Sequence, residues 1–163
     1  MEEQMQTFQD LGLSDEILQA LEKRGYGYPT KIQAEAIPPL LAWKDVIAKA
    51  PTGTGKTFAF GIPLIEHIDA ESDDLQGLIL APTRELALQI GDELRSLLTY
   101  YKNIRVAVVY GGQKIDTQIK ALKKNPQIVV ATPGRLMDHY RHRNLRLDKI
   151  HTVILDEADR MLD

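Results

Sequence analysis

Five short, mostly apolar runs divide the chain, and each is followed by a small cluster of Gly, Pro, Thr or Asp residues. Stretches with helical spacing of apolar residues separate these runs. Apolar strands that alternate with helices predict a parallel sheet covered on both faces, with right-handed crossovers. We therefore expect an α/β fold with strands at residues 45–50, 77–81, 104–110, 127–131 and 151–155.

The polar clusters predict where a site would lie. In an open parallel sheet, ligands bind outside the carboxyl ends of the strands, and every cluster in this chain follows a strand. Two helices are expected before the first strand. Ser14 has the sequence context of an N-cap, and Thr30 with Gln33 three residues later forms a capping box.

The run A-P-T-G-T-G-K-T, from Ala50 to Thr57, has the layout of a phosphate-binding P-loop. Gly53 and Gly55 would let the backbone curl around a di- or triphosphate. Lys56 would supply a cation for the β- and γ-phosphates, and Thr57 a hydroxyl for Mg²⁺. Because the strict pattern begins with Gly rather than Ala, a Gly/Thr-rich surface turn is the alternative. The remaining residues of the loop are Pro51, Thr52 and Thr54.

Two carboxylates, Asp156 and Glu157, follow the last apolar run about a hundred residues after the P-loop. A nucleotide hydrolase keeps at such a position the carboxylate that holds Mg²⁺ through its water shell, so Asp156 is predicted to be a metal ligand. Glu157 would then orient or deprotonate the water that attacks the γ-phosphate. The alternative is an acidic helix start, which the helix dipole favours without any ligand.

These segments together resemble the first RecA-like domain of the DEAD-box RNA helicases. Residues 156–159 have the sequence D-E-A-D, and the resemblance covers essentially the whole chain. It implies a parallel-sheet RecA-like P-loop NTPase domain over residues 41–163, preceded by a helical lead-in over residues 1–40. The family's P-loop itself has Ala at its first position, so Ala50 agrees with the resemblance. Trp43 stands where the family usually has a glycine turn, and we assign it no role.

The lead-in resembles the family's Q motif, in which a glutamine contacts the adenine edge and an upstream aromatic residue packs over the base. This implies that Gln33 contacts adenine in addition to capping its helix, and that Phe8 packs on the base. The resemblance adds Tyr26 and Thr30 to the same nucleotide site. The expected cofactors are therefore ATP and Mg²⁺.

Three further segments resemble those with which the family touches the sugar–phosphate backbone of single-stranded RNA. Phosphates carry no sequence information, so binding should depend strongly on salt and little on RNA sequence. The basic loop 141–149 would either extend this RNA track or be a solvated surface. The residues that the resemblance assigns to RNA are Pro82, Thr83, Arg84, Gly111, Gly112, Thr132, Pro133, Gly134 and Arg135.

The charge distribution agrees with an RNA-contacting second half. Residues 1–100 hold 8 Lys or Arg against 16 Asp or Glu, whereas residues 101–163 hold 12 against 7. A solvated surface would also account for this asymmetry. The absence of cysteines and of any apolar run of membrane-spanning length leads us to expect a soluble, cytoplasmic protein without membrane contact.

The resemblance implies an ATP-dependent RNA helicase in which this chain is the nucleotide-binding domain. Relatives continue with a Ser-Ala-Thr strand, which lies between the P-loop strand and the Asp-Glu strand, and with a second RecA-like domain that completes the ATP site. We therefore expect a fragment with an incomplete sheet, or a sheet completed by close pairing of its strands or by another chain, and weak or no hydrolysis by this chain alone. The alternatives are a P-loop ATPase that acts on DNA and a non-catalytic module that binds RNA or nucleotide.

Overall fold

The computed structural model of the chain describes residues 6–50 and 55–162. It divides into two compact units, one of Met1–His67 with Glu93–Lys102 and the other of Ile68–Asp92 with Asn103–Asp163. Within the described ranges, no helix is long and apolar enough to cross a membrane. The predicted boundary between residues 40 and 41 stays a prediction.

The helices of the first unit begin where the capping residues predict. Ser14 Oγ accepts a hydrogen bond from the backbone N–H of Ile17 at 3.4 Å, and the capping box between Thr30 and Gln33 is complete. A short 3₁₀ helix, Gln9–Leu11, precedes them. The helices are Asp15–Lys23 (α1), Lys31–Leu41 (α2) and Lys56–Glu66 (α3), and the last residues of Arg84–Leu97 (α4) also belong to this unit.

Helix α3 forms the centre of the first unit, because seven of its eleven residues are buried. A Cβ built on Gly61 would lie 2.8 Å from Cδ2 of Leu94, which is closer than real Cβ contacts allow. Gly61 therefore lets α3 approach the Leu94 side chain closely. Any larger residue at this position would force that side chain to move.

A polar cluster of Ser14, Glu66 and Tyr101 joins three segments of the first unit. The Ser14 hydroxyl donates to Glu66 Oε1 at 2.6 Å and lies 2.9 Å from the Tyr101 hydroxyl. Burial, opposed by the Ser14 hydrogen bond and reinforced by the Glu66 charge, raises the pKa of Tyr101 to about 12. The N-cap of α1 is thereby fastened to the end of α3.

The second unit contains the predicted parallel sheet, with four strands in the order β2-β3-β1-β4. In register, Leu80 lies beside both Ala131 and Leu155, and Val109 lies beside Ala131, so the strands end level with one another. The strands are Gly77–Leu80 (β1), Val106–Val109 (β2), Ile128–Ala131 (β3) and Thr152–Leu155 (β4). The helices are the first residues of α4, then Ile115–Leu122 (α5), Pro133–Arg141 (α6) and Ala158–Met161 (α7).

The predicted strand at residues 45–50 is wrong, because these residues are described without strand structure. Ile47, within this apolar run, is 95% exposed. A strand needs a neighbour for its N–H and C=O groups, and none of the four described strands pairs with residues 45–50. In this sheet β4 is an edge strand, and its Val153 and Leu155 are 57% and 56% exposed. An apolar run alone does not show whether a neighbouring strand will pair with it.

Trp43 adopts a backbone conformation that glycine adopts more readily than other residues. Its φ is +62°, in the left-handed region that disfavours side chains with a Cβ. The indole ring stacks on His67 with ring centroids 3.6 Å apart and planes within 5°. His67 Nε2 in turn lies 3.0 Å from the carbonyl oxygen of Leu41.

Candidate functional site

The first unit holds the candidate nucleotide residues, and part of its P-loop lies outside the described residues. These undescribed positions are Pro51, Thr52, Gly53 and Thr54. Gly55, Lys56 and Thr57 are described, at the start of α3. Their assignment to phosphate and Mg²⁺ stays a prediction.

Gln33 fastens the start of α2 to the end of the P-loop. Its Oε1 accepts a hydrogen bond from the Thr30 backbone N–H at 2.9 Å, and its Nε2 donates to the Gly55 carbonyl oxygen at 3.1 Å. The side chain is buried. The capping role is therefore confirmed, while the proposed contact with adenine stays a prediction. An amide has four hydrogen-bonding positions, and these two bonds occupy two of them.

Position 55 requires glycine for two reasons, the conformation of its backbone and the closeness of a neighbouring side chain. Its φ is +78°, and a Cβ built on it would overlap the Nε2 of Gln33. As the N-cap of α3 it makes no side-chain cap, so the first turn of this eleven-residue helix presents backbone N–H groups. Such a helix start favours negative charge, which suits a phosphate.

The two aromatic residues assigned to the nucleotide differ in their surroundings. Phe8 is buried within the first unit. Tyr26 is partly exposed, and its ring contacts Phe58 edge to face with centroids 5.5 Å apart. The Arg24 guanidinium lies 5.8 Å from the Tyr26 ring centre. Tyr26 therefore offers an accessible aromatic surface, whereas Phe8 is enclosed by protein.

The second unit brings four predicted segments to the carboxyl edge of its sheet. Thr132 N–H donates to the Val109 carbonyl at 3.1 Å, and Asp156 N–H donates to the Leu80 carbonyl at 3.0 Å. The segments that follow the strands therefore lie side by side in the order of the strands. Along the edge, these segments are Gly111–Gly112, Thr132–Arg135, Pro82–Arg84 and Asp156–Glu157.

The two carboxylates at this edge are held differently. Asp156 is buried at the end of β4. Glu157 adopts φ +52° and ψ +51°, a left-handed conformation that is rare for residues other than Gly, Asn and Asp. Its carboxylate makes a 2.7 Å ion pair with Arg160. Backbone strain of this kind costs on the order of 1–3 kcal/mol and is concentrated at functional sites.

Arg84 joins two of the segments assigned to RNA. Its guanidinium lies 5.0 Å from the centre of the Tyr110 ring, and a Cβ built on Gly112 would lie 3.7 Å from Arg84 Nη1. Thr83 Oγ1 accepts a hydrogen bond from the Leu86 N–H at 3.2 Å and so caps α4. Arg84 is exposed in the first turn of this helix, beside an open glycine turn.

Arg135 is more enclosed than its predicted role suggests. Its Nη1 donates to the Gln113 carbonyl at 3.0 Å and to Gln118 Oε1 at 3.1 Å, and its Nε lies 3.7 Å from the Asp138 carboxylate. The guanidinium therefore helps to hold the turn after Gly112 against the start of α6. A direct contact between Arg135 and RNA stays a prediction.

Two buried polar residues beneath these segments, Gln118 and His139, were not predicted from the sequence. Their side chains are 2% and 0% exposed, and His139 Nε2 lies 2.9 Å from Gln118 Oε1. The sequence does contain one indication of Gln118, which is a polar residue on the apolar face of α5, between Ile115 and Leu122. Because Gln118 Oε1 also accepts from Arg135, it faces His139 as an acceptor, so Nε2 carries the proton. His139 Nδ1 then accepts from Asn144 Nδ2 at 3.1 Å.

Burial lowers the pKa of His139, and the Arg135 cation lowers it further, against a smaller opposing effect of Asp138. Above the ordinary histidine pKa of about 6.5, the imidazole is neutral in both the folded and the unfolded chain. As the pH falls below that value, the unfolded chain takes up a proton that the folded chain resists. Stability is therefore lost toward acid.

We expect the thermal midpoint of the wild-type protein to fall between about pH 7.5 and about pH 5.5 more than that of a His139→Gln variant. Glutamine keeps a neutral N–H donor toward Gln118 but has no group that titrates in this range. Because the two proteins differ by one titrating group, the pH dependence of their free energies of unfolding can differ by at most about 1.4 kcal/mol per pH unit. Differential scanning calorimetry of both proteins across this range measures it. Parallel pH profiles would contradict the neutral assignment of His139.

The basic loop lies away from the candidate RNA segments. Helix α6 begins at the carboxyl edge after β3, runs for nine residues, and ends at Arg141, and the loop then leads into the start of β4. The loop is therefore at the amino ends of the strands, so it does not extend the RNA track predicted at the opposite edge. It lines a cavity of about 420 Å³ with residues 73–75 and 125–126.

The side chains assigned to Mg²⁺ have suitable chemistry. Mg²⁺ prefers oxygen ligands, and it usually binds through one or two carboxylates together with waters and substrate phosphates. The Thr57 hydroxyl and the Asp156 carboxylate are both of this oxygen type. Thr57 lies in the first turn of α3, and Asp156 directly follows β4.

Comparison with known proteins identifies similar chains. Residues 30–163 match the family model described as DEAD/DEAH box helicase. The chain is 52% identical over 159 residues to the DEAD-box ATP-dependent RNA helicase CshA of Bacillus cereus, covering 98% of this chain and 30% of that protein. It is 54% identical over 157 residues to CshA of Bacillus licheniformis, covering 96% of this chain and 32% of that protein.

A solved structure is also similar. The crystal structure of a DEAD box protein from the hyperthermophile Methanococcus jannaschii matches with a TM-score of 0.89 and 48% sequence identity. The match covers 96% of this chain and 42% of that one. The chain thus spans about a third of the length of the two helicases named above.

Proposed function

Because the chain belongs to the DEAD/DEAH box helicase family, we propose that the full-length protein containing it is an ATP-dependent RNA helicase. This chain would bind ATP and Mg²⁺ and contact the backbone of single-stranded RNA. A second RecA-like domain of the full-length protein would complete the ATP site, and closure of both domains would separate short RNA duplexes locally. A relative with 52% identity over 98% of this chain is named as a DEAD-box ATP-dependent RNA helicase.

The observation that carries this proposal is the arrangement at the carboxyl edge of the sheet. Three segments assigned to the RNA backbone share this edge with the Asp156–Glu157 pair, and Pro82–Arg84 is the one next to it. Arg84 and the exposed Gly111–Gly112 turn offer a cation and open backbone to a phosphate. Groups that bind RNA would thereby be adjacent to the carboxylates that act on ATP.

The family resemblance and the side-chain chemistry together suggest a role for each residue of the nucleotide site. Lys56 and the N–H groups at the start of α3 would hold phosphate, and Gln33 would contact adenine while it fastens Gly55. Glu157 would orient or deprotonate the attacking water. Mg²⁺, held by Thr57 and Asp156, would supply charge neutralisation at the β- and γ-phosphates.

The proposal is tested by ATP hydrolysis of the full-length protein with and without single-stranded RNA. We expect RNA to stimulate the hydrolysis of ATP, with little turnover of GTP and little stimulation by DNA of the same sequence. Equal stimulation by RNA and DNA would favour an ATPase that acts on DNA. If neither nucleic acid raises hydrolysis above background, the chain is part of a non-catalytic binding module.

We predict that Arg84→Gln weakens RNA binding by the full-length protein and makes it less dependent on salt. A phosphate contact releases counterions, so its loss should lower the slope of log affinity against log salt by about 0.7, the value for one phosphate of a single strand. Fluorescence anisotropy of a labelled oligouridylate, titrated at several salt concentrations, measures the slope. The ATP analogue should be present at saturation throughout.

Arg141→Gln is the matched control, because it removes the same charge from an exposed residue. Arg141 ends α6 at the amino edge of the sheet, away from the candidate RNA segments. Its substitution should leave the salt slope unchanged. Equal slopes for wild type and Arg84→Gln would contradict a phosphate contact by Arg84.

A further inference from the structure

We propose that Gln118 is the positioning residue of the RNA-binding edge. It would hold the Gly111–Gly112 turn and the start of α6 in the arrangement that contacts consecutive RNA phosphates, without touching RNA itself. The inference rests on the RNA-binding role proposed above and adds a residue that the motifs do not contain.

All four hydrogen-bonding positions of the Gln118 amide are occupied. Its Nε2 donates to the Tyr110 carbonyl at 2.8 Å and to Gln113 Oε1 at 3.0 Å, so it bridges the two residues that flank Gly111–Gly112. Its Oε1 accepts from Arg135 Nη1 at 3.1 Å and lies 2.9 Å from His139 Nε2. An amide filled in this way can adopt only one orientation.

The four partners belong to two segments that must act together. Tyr110 and Gln113 flank the glycine turn, whereas Arg135 and His139 belong to α6, whose start includes Gly134. Arg135 strengthens the connection, because the same Nη1 also donates to the Gln113 carbonyl at 3.0 Å. Gln118 therefore bonds to both segments through opposite ends of its amide.

A glycine turn needs such a restraint to bind phosphate well. Gly111 and Gly112 are exposed, and Gly112 has a φ of +95°, which glycine adopts freely. Without a restraint the turn would lose conformational freedom on binding RNA, and that cost would weaken affinity. The buried Gln118 amide already orders the turn in the free protein, so this conformational entropy is not lost on binding RNA.

Substitution of Gln118 by methionine in the full-length protein tests the role, because it keeps the side-chain volume and removes all four bonds. We expect RNA binding, measured with labelled oligouridylate and a saturating ATP analogue, to weaken about tenfold, which corresponds to about 1.4 kcal/mol. The slope of log affinity against log salt should stay unchanged, because Gln118 contacts no phosphate. Affinity for a fluorescent ATP analogue alone should also stay unchanged.

Gln127→Met is the matched control. Gln127 is likewise buried and bridges loops of the same unit, accepting from the Arg105 N–H and donating to the Ser72 and Asn103 carbonyls. It immediately precedes β3, at the amino edge of the sheet. A comparable fall in thermal midpoint with wild-type RNA affinity is expected. Equal loss of RNA affinity in both variants would show general destabilisation and overturn the positioning role.

A milder variant, Gln113→Ala, covers the case in which Gln118→Met does not fold. It removes one acceptor of the Gln118 amide at a partly exposed position, and about threefold weaker RNA binding is expected. Wild-type affinity in the variant that folds would overturn the positioning role alone. Failure of the wild-type protein to bind RNA would instead overturn the proposed function, and this role with it.

Discussion

Replacing Glu157 by glutamine in the full-length protein is expected to lower RNA-stimulated ATP hydrolysis by about 10²–10⁴-fold, the usual contribution of a general base. Glutamine has nearly the same shape as glutamate but cannot accept the proton of the attacking water. Binding of ATP and of RNA should persist, because the substitution leaves the P-loop and the RNA segments intact. Steady-state hydrolysis, together with equilibrium binding of a fluorescent ATP analogue, separates the two effects.

Asp148→Asn provides the control for Glu157→Gln. Asp148 is an exposed carboxylate a few residues before β4, whereas Glu157 follows that strand by two residues. The control therefore changes the same charge at the opposite end of one strand, and hydrolysis should stay at the wild-type rate. Near-normal turnover by Glu157→Gln would show that another group activates the water.

The second large effect is expected for Gly55→Ala, which should abolish tight ATP binding and destabilise the first unit. A residue with a Cβ pays about 1–2 kcal/mol for the left-handed conformation that Gly55 adopts. The new Cβ would also displace the Gln33 amide and break its hydrogen bond to the Gly55 carbonyl. Chemical denaturation and titration with a fluorescent ATP analogue measure both consequences.

Gly25→Ala isolates the backbone part of this effect. Gly25 has a φ of +80°, but nothing lies within 4 Å of a Cβ built on it. Its substitution should cost only the conformational strain and leave ATP binding intact. In a Gln33→Ala background, Gly55→Ala should cost about as much stability as Gly25→Ala. Equal costs for the two glycines with Gln33 present would refute the proposed packing of Gln33 against the loop.

The sequence predicted those parts of the structure that depend on local signals. Helices α1 and α2 begin directly after Ser14 and Thr30, because the side chains of these two residues accept hydrogen bonds from backbone N–H groups three residues later. This signal involves only four consecutive residues. Strands β1 to β4 agree with apolar runs. The grouping of the strand-end segments follows from parallel pairing, so it too could be inferred without coordinates.

The features that could not be predicted depend on distant contacts. Residues 45–50 have the composition of a strand, but a strand forms only beside a neighbour. Gln118 could be placed on α5, yet its four partners lie on separate segments. The strained backbone of Glu157 departs from ordinary preferences, and such departures are expected at functional sites.

Duplex separation by the full-length protein tests the proposed function most directly. A short RNA duplex with a fluorophore and quencher on opposite strands should separate when ATP is added, and GTP should give little separation. Glu157→Gln should bind the same duplex in the presence of ATP without repeated turnover. If the wild-type protein binds ATP and RNA but separates no duplex under any nucleotide condition, the helicase assignment is contradicted.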